Sequence, residues 1–393
     1  MATASEKFEL LITKGRHLPH DHGVANNSTE NTSDDNVSED KLEKGISFFN
    51  RNFFSMFVSM LTGLLSLMYI DTIARVLDAT NKSNSPALSF QRYLSTLSHT
   101  VQWYRDLPSL IKSTSRVRAL HRGAAGLTAF TQYEMVVTQW AFVGPVLLWP
   151  GQLGVERRSQ EDVEGLLYVM MMVGRQLGIS DELNLCLGDR KHCTEYSRLV
   201  LEKVETISFL KLILIIFISQ IIKPSFNSPE ASETSKKLSR DLLDGVNILN
   251  PFIFPPAFLL WSEDLFHERK NPDLYGLHIG DRFFYKTQQN FLGRVFHVGV
   301  VGDIIRALAN NLMRLNIFIA SEWKDYILTS LKEKKDTQKI GHLLGAAHAS
   351  FIIPGMVMIS FGKIVSCETR KFRSEICFSV ILATVLVIFT TYI

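Results

Sequence analysis

The sequence is poor in the patterns that announce most chemistries. Four cysteines stand at positions 186, 193, 367 and 377 with no CxxC pair, which excludes a disulfide-built secreted module and a paired zinc knuckle. Cys186 and Cys193 read as reduced structural thiols, with a bridge between them as the alternative in an oxidising lumen. His192 beside Cys193 is only half of a metal site. No GxGxxG, GxxxxGK, HExxH or GxSxG occurs, so dinucleotide, P-loop, zincin and α/β-hydrolase sites have no anchor. No glutamate is followed three residues later by histidine, which removes the usual di-iron bundle. A net charge of +3 over 393 residues, without a basic tail, gives a nucleic-acid partner no support. Residues 1–19 lack the apolar core and cleavage site of a signal peptide, so the chain is expected to begin in the cytosol.

What is present is apolar and helical. Residues 20–44 are rich in Asn, Ser, Asp and Glu, and residues 1–45 read as a disordered polar tail. Asn26, Asn27, Asn31 and Asn36 open Asn-x-Ser/Thr triplets, relevant only to a lumenal end. Residues 53–70 carry no charge but include serines, a threonine and a glycine, favouring a buried, pocket-lining helix over a membrane span. The run 131–150 reads as a buried helix broken at Pro145 and stopped at Pro150-Gly151. The acids at 161–164 suit the start of a helix that ends near Gly178. Residues 207–222 read as another buried helix, the prolines at 255 and 256 argue against regular helix there, and 299–333 is helical again. The fold class is mainly α: one large helical domain over 46–340. Residues 376–393 are uncharged and preceded by Lys363, Arg370, Lys371 and Arg373, the pattern of a transmembrane tail anchor with its main domain cytosolic. Residues 341–375 form an apolar interfacial or second membrane segment and a basic linker.

The chemistry concentrates in two stretches. KSTSRVRALHR, 112–122, sets Arg118 and His121 three residues apart on one helical face, with Arg116 pointing elsewhere. Upstream, Arg92, Ser95, Thr96, His99 and Trp103 recur at helical steps. Two faces carrying an arginine, a histidine and hydroxyls suit a flat, anionic, iron-bearing cofactor such as haem, whose propionates pair with guanidinium and whose iron takes imidazole. Phe53, Phe54, Met56, Phe57 and Met60 are candidate pocket residues, although an apolar stripe of this kind is more often plain core.

The Arg-Val-Arg-x-x-His run, followed by Gly126-x(6)-Tyr133-x(6)-Trp140, GQLGV at 151–155, EDVEG at 161–165 and VGRQLGI at 173–179, resembles the rubber oxygenase/latex-clearing protein and ER-bound oxygenase (mpaB-like) catalytic domain family. The resemblance covers residues 53–184 and fades towards 320. It implies a haem b pocket between helices, with His121 as the iron ligand and Arg118 and Arg92 as cofactor-binding residues. Arg92 and Thr96 match the family's distal Arg-x-x-Lys-Thr run, and Ser95 replaces its lysine. Serine is too short to reach iron, which leaves either an open or water-ligated sixth position or capping by His99. Arg92, Thr96 and His99 are therefore the expected catalytic residues. A carboxylate known in the family aligns only loosely with Asp71 or Asp78. The implied reaction is oxidative cleavage, with dioxygen, of a carbon–carbon double bond in an apolar isoprenoid-like or lipid alkene to carbonyl products. A membrane location, expected to be the endoplasmic reticulum, follows from such a substrate. The alternative is a haem-less relative that binds a hydrophobic ligand or acts as a membrane scaffold.

Overall fold

In the computed structural model the described residues are 2–23, 37–68, 70–127, 130–156, 160–203, 233–249, 255–266, 268 and 279–332. They form a mainly helical, single domain, and no strand occurs among them. The segments 207–222, 343–362 and 376–393, with the triplets at Asn26, Asn27, Asn31 and Asn36, lie outside the described residues. In chain order the helices are α1 (Ala4–Leu10), α2 (Glu39–Arg51), α3 (Phe53–Leu67), α4 (Asp71–Ala79), α5 (Pro86–Trp103), α6 (Leu107–Ala125), α7 (Gln132–Leu148), α8 (Gln160–Leu177), α9 (190–203), α10 (Glu233–Leu249), α11 (Pro255–Phe266), α12 (Ile279–Gly293), α13 (Gly299–Glu322) and α14 (Lys324–Lys332).

The core is built on α3, every residue of which except Phe54 is buried. Its serines and threonine are tolerated because backbone carbonyls are within reach: Thr62 donates to the Val58 carbonyl at 2.9 Å and Ser66 to that of Gly63 at 2.6 Å. No single helix among the described residues is long and apolar enough to cross a membrane; α3 and α4 pass that test only as a bent pair.

Helix α7 runs through Pro145 to Leu148 instead of breaking there. Proline has no N–H for the Ala141 carbonyl one turn back, and the neighbouring helix meets that exposed group. Gly63 of α3 lies so close to Ala141 that any Cβ would strike its carbonyl oxygen. The prolines at 255 and 256 likewise open α11 rather than prevent it, since first-turn N–H groups need no helical partner. The expectation at Gly178 holds: α8 ends at Leu177 and Gly178 follows with φ +100°, a left-handed position that favours glycine.

The disordered tail read over residues 1–45 is corrected for much of its length. Thr3 and Glu6 form a capping box on α1, residues 11–15 continue as a π-turn, and Leu11 is fully buried. Lys7 is 3% exposed and donates to the carbonyls of Asn184 and Leu187 at 3.3 and 3.0 Å. Its burial lowers the ammonium pKa. Polar composition misled here because these polar groups are satisfied by distant backbone. From Glu39, α2 packs its Leu42, Phe48 and Phe49 into the core. Cys186 and Cys193 are buried and unbridged, and burial pushes the Cys193 thiol up to about 12.

Helix α2 lies against α8 through two glycines. A Cβ on Gly165 would sit 2.5 Å from the Gly45 nitrogen, and one on Gly45 would strike the Gly165 carbonyl. Gly165→Ala is therefore expected to destabilise the fold by roughly 1–3 kcal/mol through overpacking, read as a lower urea midpoint at unchanged slope. An unchanged midpoint would contradict the backbone contact.

Candidate functional site

Helices α5 and α6 form a hairpin, and each helix has a side-chain N-cap, that of α6 lying in the turn between them. Ser85 accepts from the Leu88 N–H at the start of α5, and Asp106 accepts from the Ser109 N–H at 2.7 Å at the start of α6. Pro86 and Pro108 occupy first-turn positions, where they fit. The hairpin faces the polar stretches of the two helices toward each other and toward neighbouring segments.

On α5, the Arg92 guanidinium donates to the hydroxyls of Thr80 and Ser83 at 3.1 and 3.2 Å. Burial lowers its pKa and the nearby Tyr93 raises it. No carboxylate pairs with Arg92 among the described residues, so its charge is held by neutral hydroxyl dipoles alone. Thr96 returns its hydroxyl proton to the Arg92 carbonyl at 3.1 Å. One turn on, His99 Nδ1 lies 2.9 Å from Ser113 Oγ on α6. Burial, then the Arg116 charge, lowers the His99 pKa.

On α6, His121 is half-buried, yet its Nδ1 is closed off from solvent and has no hydrogen-bond partner. The Nε of the half-buried Arg118 is likewise unpartnered, whereas Arg116 is exposed. Desolvation brings the His121 pKa down to about 4, assisted by His20 and then Arg92, so the ring is neutral at pH 7. The structure thus brings His121 within electrostatic reach of Arg92, while His99 is engaged with Ser113 and Arg116.

Three participants were not found in the sequence. His20 is buried, and its Nε2 has no partner. Phe130 stands between the histidines: its ring centroid is 5.5 Å from each, stacked on His20 at 23° and edge-on to His121 at 84°. Gln132 places both. Its Nε2 donates to the carbonyls of Pro19, His20 and Gly178 at 3.2, 2.6 and 2.8 Å. Its Oε1 accepts from the Ser180 N–H at 2.9 Å and its own N–H reaches the Leu18 carbonyl at 3.0 Å. The only sequence signal was the run His17, His20, His22, which lies in a stretch without helical period.

An apolar cavity of about 10 Å³, room for roughly one water, lies between α3 and α5. Phe53, Met56, Phe57 and Met60 line it, together with Leu97, Thr100, Tyr104 and Met170. Phe54 does not; its ring packs towards Phe296 at 6.1 Å between centroids. Tyr104 stacks on Phe49 at 4.0 Å, and its buried hydroxyl has no partner. No group of three or more His, Cys, Asp or Glu side chains able to hold a metal ion occurs among the described residues. Comparison with family models, with curated proteins and with solved structures gives no match for the chain.

Two outcomes follow. Gln132→Leu leaves the Ser180 N–H and the His20 carbonyl without a partner, while the Pro19 and Gly178 carbonyls keep the N–H groups of His22 and Gly23, and is expected to cost roughly 1–3 kcal/mol in denaturant unfolding. For His121, the unfolded ring takes its proton at an ordinary pKa of 6.5 and the folded ring near 4. The unfolded state therefore binds more protons between these values, so stability falls as pH drops through that window. Thermal melts of His121→Leu should show a shallower loss between pH 6.5 and 4 than the parent chain; parallel curves would contradict the burial of this ring.

Proposed function

We propose that the chain is a membrane-anchored, haem b-dependent oxygenase that cleaves an apolar isoprenoid-like or lipid alkene. The observation that supports the reading is the enclosed, unpartnered Nδ1 of His121 beside a guanidinium with no carboxylate partner among the described residues. An orphaned buried nitrogen costs free energy unless a ligand satisfies it, and a neutral imidazole is the form that ligates a metal. A single histidine is enough for haem iron because the macrocycle supplies the remaining in-plane ligands. A lone histidine suits haem rather than a bare metal ion; its Nδ1 is closed off by protein atoms and the cavity of about 10 Å³ lies at other residues, so haem binding requires the packing around His121 to open.

In this reading His121 holds the iron, and Arg92 and Arg118 hold the propionates. When bound, the haem supplies the oxidising chemistry with dioxygen. Phe130 keeps water from the His121 edge and His20 contributes a second neutral ring. Arg92 is preset by Thr80 and Ser83, so orienting an anionic group costs little further side-chain entropy. Thr96 is held to α5 by its bond to the Arg92 carbonyl and lines the same face. The anchor is assigned to 376–393, with the endoplasmic reticulum as the membrane and the main domain cytosolic.

A haem-less, hydrophobic-ligand-binding protein or membrane scaffold is the second reading. It is favoured by the methionine- and phenylalanine-lined cavity with the orphaned Tyr104 hydroxyl, since methionines adapt to varied apolar shapes. Purified with haem available, the full chain should show a Soret band that His121→Ala removes while far-ultraviolet circular dichroism is retained. A folded, colourless parent chain that carries a co-purifying lipid would establish the second reading in place of the first.

A further inference from the structure

The outward face of α6 has a separate character from the site it carries. Lys112, Arg116 and Arg122 are exposed on it, and no acidic residue occurs between Asp106 and Glu134. The cations alternate with aliphatic side chains that leave the domain surface: Ile111 is 37% exposed, Leu120 53% and, just past the helix end, Leu127 62%. Leu110, Ser113, Thr114 and the Nδ1 edge of His121 lie on the opposite, inward face. Each of these features is ordinary alone. Together they spread three positive charges and three aliphatic groups over the solvent-facing half of α6 and the turn after it, a stretch with no acidic residue of its own.

We propose that this stretch is a docking surface for the anionic face of a lipid bilayer. Charge complementarity draws the cations to phosphate and carboxylate headgroups, and the aliphatic groups enter the interfacial layer, as in helices that lie on membranes. Protruding leucines are what separate this occupant from a nucleic acid, whose binding grooves combine cations with aromatic stacking. The exposed apolar residues of α13, Val300 and Phe318, do not share the character, since Asp303 and Glu322 belong to the same helix. Docking through α6 would bring the hairpin that carries Arg92 and His121 against the headgroups, whether or not a cofactor is bound.

The test uses the full chain with an environment-sensitive fluorophore on Leu120→Cys, the parent chain labelled in the same way providing the background from native thiols. Vesicles of phosphatidylcholine alone and of phosphatidylcholine with phosphatidylserine are compared, so that any apolar tail inserts equally in both. The label is expected to brighten and shift to the blue only on the anionic vesicles, and to revert in high salt. Each cation contributes about fivefold to the affinity, so replacing Lys112, Arg116 and Arg122 with glutamine should weaken it on the order of a hundredfold. An equal response on neutral vesicles, an unaffected triple variant, or the same shift with single-stranded RNA would overturn the proposal. The Soret band is unaffected by any of these outcomes, so this surface and the haem reading fail independently.

Discussion

The amide of Gln132 is the contact on which the arrangement of the candidate site depends. One side chain at the first position of α7 joins the segment around His20, the turn after α8 and its own helix. An amide suits this task because it offers two donors and an acceptor in a plane, so one buried group satisfies carbonyls and an N–H that arrive from separate parts of the chain. Without it, the His20 carbonyl and the Ser180 N–H would face a dry interior, and the Pro19 and Gly178 carbonyls would be left with one donor each. The position of His20 against Phe130, and of Phe130 against His121, follows from this clamp and from the packing of α6.

A second constraint is electrostatic. Arg92 and His121 come from adjacent helices into a region where no carboxylate meets Arg92 among the described residues, and the imidazole answers by giving up its proton. Two neutral rings beside one buried cation form an environment that resists additional positive charge and favours a negative one. Helix α5 takes part in both this polar region, through Arg92, and the apolar cavity, through Leu97 and Thr100.

Much of the architecture was legible because it is written in periodicity. The three-residue step from Arg118 to His121, the acids opening α8 and the glycine ending it all express local helical geometry, and local geometry survives into the fold. What failed was non-local. Pro145 looked like a break because the sequence does not display Gly63 opposite the carbonyl it leaves exposed. Residues 3–23 looked like solvent-exposed tail because the partners of Lys7 and His20 stand more than a hundred residues away. His20, Phe130 and Gln132 escaped notice for the same reason: each acts through tertiary contacts and none repeats at a helical interval. The resemblance drawn from motif order rests on the sequence, and the orphaned His121 nitrogen is a structural observation independent of it.

The early placement of α1 has a consequence for biosynthesis. Lys7 finds its acceptors 177 and 180 residues later, so α1 cannot make these bonds until that length of chain has followed it. At roughly 5–20 residues per second this interval lasts on the order of ten to forty seconds. Throughout it Leu11, fully buried in the finished domain, is uncovered on a nascent chain, a natural target for a holding chaperone.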